Sequence, residues 1–332
     1  MKKILFASTA LVATASVAAA DVTFSGYGRF GLGYVEDRNT DTFAGENEVS
    51  DTAIVSRFRL TIDADAETDG GVRFGARVRI QADEDADTGE AGEAGLNAAR
   101  FFVENGGLRV EAGNVAGAID NLPGYYGFEP GLEGTFNMYS GVNYDFIGYS
   151  STGGTHNGVY ARYAIGDFAV AAAYDSAPGA EAAGDSPTTT NGDRWDIHAA
   201  YTFGNVTAAL AYGETDTDVS QEITVLTLQG DFGPLSVAAI VGDEEVNDDA
   251  GAFDTNVSDT FYGLSASYAV SSATSVNFAY GDGSGDNDER HIGLGAVHDL
   301  GGGVSLRGAI GTKREGNGDS QTVADFGAQF SF

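Results

Sequence analysis

Seven arginines, Arg29, Arg57, Arg59, Arg73, Arg77, Arg79 and Arg100, fall on one parity of four alternating segments near the start of the chain. A guanidinium stays charged at any relevant pH and carries a rigid fan of donors. At alternate positions of extended backbone such groups share a face, and held apart by water they make a fixed positive field rather than a catalytic group. Their counterweight lies in a glycine-rich stretch, about residues 114–157, which carries Asp120, Glu129, Glu133 and Asp145. Carboxylates opposed to arginines across a narrow aqueous gap would set up a transverse field that orients dipolar solutes and penalises apolar ones. The plainer role for the arginines is to neutralise acids on the same face, such as Asp63 and Asp65.

Other chemistry finds less support. The four histidines, His156, His198, His291 and His298, have no serine placed with them, as a lipid-facing esterase would require. The chain reads as a non-enzyme. With no cysteine, neither disulfide frameworks nor thiolate metal sites can form. The run from Gly281 to Glu289 has the composition of a calcium loop without its spacing, and reads as a charged outside loop. No metal ligands are assigned.

The arginines must be positioned by strands. Apolar and polar residues alternate in sixteen segments of roughly ten residues, the length at which a tilted strand crosses a bilayer. They lie near residues 24–35, 54–66, 72–82, 97–104, 108–113, 158–165, 168–175, 194–203, 206–214, 222–231, 235–242, 259–269, 274–281, 289–299, 304–313 and 322–332. Phe58, Leu60 and Ile62 share a face opposite Arg57, Arg59, Thr61 and Asp63; Phe74, Ala76, Val78 and Ile80 oppose Arg73, Arg77, Arg79 and Gln81. One face suits lipid and the other water. Short turns such as Gly106-Gly107, Gly166-Asp167 and Gly204-Asn205 alternate with long polar loops, as in an up-and-down barrel. The expected fold is all-β: a 16-stranded antiparallel transmembrane β-barrel. Residues 114–157 form its longest connection and would fold inward as a third loop; the plainer alternative is an exposed outside loop, and part of it, Tyr139 to Tyr149, could instead be a strand.

Lys2 and Lys3, then an apolar run to Ala20 ending in Ala18-Ala19-Ala20, read as a secretory signal removed before Asp21. Residues 21–332 then form one domain. Without Lys2 and Lys3 the chain has 15 basic and 49 acidic residues, a formal charge of −34, which excludes nucleic acid as a partner. The acidic outside loops could hold divalent ions that bridge lipopolysaccharide phosphates.

The hairpin Ala199-Ala200-Tyr201-Thr202-Phe203-Gly204-Asn205-Val206-Thr207, the hairpin Gly293 to Gly303 and the terminal Val323-Ala324-Asp325-Phe326-Gly327-Ala328-Gln329-Phe330-Ser331-Phe332 resemble Gram-negative general porins of the Rhodobacter type. The third-loop motif Pro-Glu-Phe-Gly-Gly of enterobacterial relatives is absent; Gly127-Phe128-Glu129-Pro130-Gly131 has related composition in another order. The resemblance implies a homotrimer in the outer membrane, a water-filled channel for small hydrophilic solutes and ions, and no required cofactor, with calcium near the constriction loop or the outer loops as an option. It also implies that Phe332 is read by the barrel-assembly machinery. Three rivals are weighed: a substrate-specific channel, a secreted acidic calcium-binding β-protein, and a closed barrel that only anchors the envelope, against which stands the aqueous interior that about sixteen strands leave.

Overall fold

The computed structural model describes residues 21–40, 47–48, 50–84, 91–176, 193–216, 219–248, 257–283, 289–314 and 318–332. The expected signal peptide lies outside them, as do residues 284–288 of the acidic glycine run.

Sixteen strands form the wall: β1 (Asp21–Val35), β2 (Thr52–Glu67), β3 (Arg73–Asp83), β4 (Arg100–Asn105), β5 (Leu108–Gly113), β6 (Gly158–Ile165), β7 (Phe168–Asp175), β8 (Asp193–Phe203), β9 (Val206–Asp216), β10 (Val219–Phe232), β11 (Leu235–Asp248), β12 (Val257–Ala269), β13 (Thr274–Gly283), β14 (Arg290–Gly301), β15 (Val304–Arg314) and β16 (Gln321–Ser331). Each pairs antiparallel with its neighbour, and β16 pairs with β1 from Tyr27↔Ser331 to Val35↔Val323, so the sheet closes on itself. A closed ring leaves no edge of unpaired backbone groups, the condition for a sheet to lie in lipid. Gly95–Leu96 adds a short pairing beside β3, and residues 39–40 pair with 47–48.

Alternation sorts the side chains as the pattern predicts. Phe24, Phe30, Leu32, Ile54, Phe58, Leu226, Ile310 and Phe326 are exposed on the outer face. The opposite parity carries Arg, Asp, Gly and Ala, and where the 114–157 segment covers it, Ala171, Ala200, Ala209 and Ala238 are buried. Tight turns close the hairpins on one side. Gly106 and Gly107 both take positive φ, 56° and 88°, which suits a residue without Cβ.

No strand of the wall forms between Asn114 and Asn157. That segment carries much of the core: Ile119, Leu122, Tyr125, Met138 and Tyr144 pack on Ala200, Ala209, Ala211, Ile223, Val225, Ile240 and Phe261. The small residues of the wall make room for it. A Cβ at Gly263 would collide with the backbone carbonyl of Met138.

Candidate pore lining and constriction

Strand register puts the arginines in adjacent rungs of one face. Arg29 pairs with Arg57, and Arg57 with Asp83; Tyr27, Arg59 and Gln81 form the next rung, Ser25, Thr61 and Arg79 a third, and Asp63, Arg77 and Arg100 a fourth. Hydrogen bonding divides this wall by depth. Toward the short turns, Arg77 grips Asp63 with both nitrogens at 2.6 and 3.1 Å, Arg73 meets Asp65 at 3.0 Å, and Arg109 bridges Glu104 and Glu111 at 2.8 and 2.6 Å. Asp63, Asp65, Arg73, Arg77 and Arg109 line a cavity of about 270 Å³ together with Arg100, which stands 3.4 Å from Glu111. Here the arginines are matched by acids.

Toward the long loops the balance changes. Arg57 holds Asp83 at 2.5 and 3.2 Å. Arg59 donates to the Gln81 amide oxygen and lies over the Tyr27 ring. Arg79 donates to Ser151 at 2.7 Å, and both Arg79 and Arg100 stack on Tyr149, 4.7 and 5.0 Å from the ring centre. Arg307, which comes from β15, donates to Ser305 at 3.2 Å. Among the described residues, no ion pair holds Arg59, Arg79 or Arg307. With Arg162 of β6, which no ion pair holds either, these three carry the part of the positive field that ion pairs leave uncompensated.

The 114–157 segment is fastened across the lumen by carboxylates of the wall. Asp196 on β8 accepts the N–H groups of Ala118 and Ile119 at 2.7 and 3.3 Å. Glu244 on β11 accepts those of Asn143 and Tyr144 at 2.9 and 2.8 Å. Asp325 on β16 accepts those of Leu132 and Glu133 at 2.9 and 3.1 Å. Ser265 on β12 accepts from Phe128 at 3.0 Å, Thr227 on β10 donates to the Pro123 carbonyl, and Arg29 on β1 donates to the Leu132 carbonyl at 3.1 Å. A single segment that meets this one parity on six strands of a closed ring lies inside it. Each carboxylate satisfies neighbouring loop N–H groups that burial would otherwise leave unpaired.

Of the four acids expected on the segment, Glu133 reaches the arginines: it stands 3.9 Å from Arg29. Burial pushes its carboxyl up to about 7, against the pull of Arg29. Asp120 accepts from the Tyr126 hydroxyl at 2.5 Å and the Tyr149 N–H at 3.1 Å, close behind the stacked arginines. Glu129 accepts from Tyr139 at 2.9 Å, and burial raises its pKa. Asp145 lies elsewhere. It meets Arg194 of β8 at 3.2 Å, because the segment has crossed to that strand before it turns back. Arg29, Arg57, Arg59, Arg77, Arg79 and Arg100 thus share a wall with Arg307, while Arg73 sits nearest the turn. Sequence reading passed over Arg109, Arg162, Arg307, Glu111, Asp196, Glu244 and Asp325. The same period-two parity marks all of them as lumen-facing; what it lacks is which loop amide each carboxylate meets. His198 hydrogen-bonds the Ala118 carbonyl at 2.6 Å, so it too serves the segment. Among the described residues no three His, Asp or Glu side chains converge as a metal site.

The family model for Gram-negative porins matches residues 7–318. The chain belongs to the Gram-negative porin family. A curated porin from Fuscovulum blasticum is 38% identical over 152 residues, 44% of this chain, and the chain spans about half (48%) of that relative's length. The likeness to solved porins is longer. A triple mutant of the Rhodopseudomonas blastica porin superposes with a TM-score of 0.70 at 26% identity, covering 94% of this chain and 100% of that one. A five-fold mutant of the same porin gives 0.71 with equal coverage. Family, closed barrel and apolar outer band together place this porin in the outer membrane of a Gram-negative cell.

Proposed function

We propose that this porin is a passive, water-filled diffusion channel for small hydrophilic solutes and ions. The carrying observation is the meeting of two unlike surfaces: an arginine wall on β1 to β4, and a segment fastened by Asp196, Glu244 and Asp325 to the other strands. Sixteen strands leave an aqueous interior that side chains alone cannot fill, so a segment inside such a ring narrows the pore without closing it. The eyelet residues in this reading are Arg29, Arg57, Arg59, Arg79 and Arg100 on one side and Asp120, Glu129 and Glu133 on the other. Passage through it breaks no covalent bond, and no cofactor is required. Calcium at the outer loops would be structural.

Three identical copies assemble in this reading, with lipid and lipopolysaccharide around them, and the barrel-assembly machinery reads Phe332. A substrate-specific channel is less well supported, because Tyr125, Tyr126, Tyr139 and Phe146 stack on one another instead of forming a track. The test is single-channel recording from detergent-extracted protein in planar bilayers. Conductance steps in threes that grow linearly with salt are expected; flux that saturates and is blocked by one solute would overturn the general-diffusion reading.

A further inference from the structure

Acids outnumber bases 49 to 17 in this chain, yet the lumen buries its acids and leaves bases within reach of a passing ion. Asp196, Glu244 and Asp325 are 0, 3 and 7% exposed, because amides of the inner segment lie on them. Glu111 and Asp175 are buried against arginines: Arg100 and Arg109 hold the first, Arg194 the second. The half-buried lumen acids Asp63, Asp65, Asp83 and Glu104 each hold an arginine as well. On the segment, Asp120 and Glu129 accept from the Tyr126 and Tyr139 hydroxyls, and Glu133 stands beside Arg29.

The bases left over are accessible. Arg59, Arg79 and Arg307 are half-buried and Arg162 is exposed. The groups that hold the first three are neutral: Gln81 and Tyr27 for Arg59, Ser151 and Tyr149 for Arg79, and Ser305 for Arg307. Arg59 and Arg79 are diagonal neighbours on β2 and β3, since Thr61 faces Arg79 and Gln81 faces Arg59; that spacing is about 7–8 Å, which long side chains span. Further lumen-side acids stand at the mouths, with Asp21, Glu67, Asp231 and Asp299 near the short turns and Asp259 near the long loops. Glu67 is eight residues along β2 from Arg59, roughly 27 Å of strand. Salt at 0.1 M screens charges over about 10 Å, so the mouth acids act weakly where the segment meets the wall.

Resting on the diffusion-channel reading above, we propose that the pore passes small anions, carboxylates among them, in preference to cations of the same size, against the sign of the whole chain. A carboxylate within a guanidinium pair is cancelled at short range. One that takes two amide N–H groups is offset by their dipoles and kept out of contact with a passing ion. A guanidinium held only by an amide oxygen, a hydroxyl or a ring keeps its full charge, and its remaining N–H donors fit carboxylate oxygens. The local field therefore follows Arg59, Arg79, Arg162 and Arg307, and the excess of acids lies elsewhere.

The experiment is reversal-potential recording from detergent-extracted porin in planar bilayers, under gradients of potassium chloride and then of potassium acetate. Wild-type porin is expected to pass chloride over potassium by about threefold or more near 0.1 M salt, with the ratio falling toward one near 1 M, where screening acts within about 3 Å. Acetate should also pass ahead of potassium. Ser151→Asp sets a carboxylate beside Arg79 and should lower the chloride-to-potassium ratio about twofold or more below that of Ser151→Asn, which adds similar bulk without charge. A conducting pore that prefers potassium at both salt levels would overturn the proposal and leave the channel reading intact. So would a folded Ser151→Asp pore that prefers anions as strongly as Ser151→Asn. The wild-type ratio and its salt dependence need no variant to fold. A wild-type barrel that shows the heat-shifted gel mobility of the folded state and no conductance would overturn the channel reading, and the preference with it.

Discussion

The carboxylate of Asp325 accepts the N–H of Leu132 at 2.9 Å, joining the last strand to a loop 193 positions earlier in the chain. The same carboxylate takes the Glu133 N–H at 3.1 Å and that of Ala309 at 3.0 Å. Replacement of Asp325 by Asn keeps one acceptor oxygen and removes the charge; replacement by Ala takes the side-chain acceptor from the two loop donors, Leu132 and Glu133. Leaving a buried donor unpaired costs about 1–3 kcal/mol. Asp325→Ala is therefore expected to unfold at lower temperature on heat-modifiability gels and to show noisier open-channel current, with Asp325→Asn between it and wild type. Quiet current from a stable Asp325→Ala channel would show that the loop is held without this anchor.

Neutralising arginines should matter according to their partners. Arg59, Arg79 and Arg307 lack carboxylates within ion-pair distance, so changing all three to Gln removes net positive charge from the pore. One charge about 4 Å from a passing ion is worth about 1 kcal/mol in water-like surroundings. Reversal potentials in a salt gradient should move toward cation selectivity. Arg77→Gln with Asp63→Asn removes a matched pair and should leave them nearly unmoved. Equal shifts from the two sets would refute the division of the wall by depth.

Glu133 gives the eyelet a pH dependence near neutrality. Its carboxyl is pushed up to about 7, so as pH falls from 8.5 to 5.5, about an order of magnitude or more either side of that value, the group gains a proton and the pore loses a negative charge. Selectivity should shift toward anions with a midpoint near 7. Glu133→Gln should hold the low-pH selectivity throughout. A midpoint near the ordinary carboxylate value, about 4.3, would place the titration on other acids.

Phe332 exchanges backbone hydrogen bonds with Gly26 at 2.9 and 3.0 Å and stacks on Phe58 with ring centres 5.9 Å apart. Deleting it removes two bonds and two aromatic contacts at the seam, the second to Phe330 with ring centres 6.1 Å apart. The barrel has many such contacts, so refolding into lipid vesicles should remain close to wild type. Assembly in cells should fall sharply if the residue is an address as well as a contact. A parallel loss in both assays would leave it a structural residue only.

The strands were legible because lipid imposes apolar residues at every second position. All ends but one agree within three residues, and the one larger gap has a cause. β11 was expected to end at Gly242 and runs to Asp248, since Asp243, Glu244 and Glu245 continue the pairing where an apolar outer face is no longer needed. The arginine face followed from the same parity. The fastening of the segment did not, because alternation says that Asp196, Glu244 and Asp325 point inward but carries no information on which distant amides they meet. Asp145 shows the same limit: composition grouped it with the other acids, and the path of the chain set it against Arg194.

The seam between β1 and β16 has a consequence for biogenesis. The anchor at Leu132 uses Asp325 from the last strand and Arg29 from the first, so its two halves come together only when the ring shuts. Until then this anchor is incomplete, and the segment is held by Asp196, Thr227, Glu244 and Ser265 on strands away from the seam.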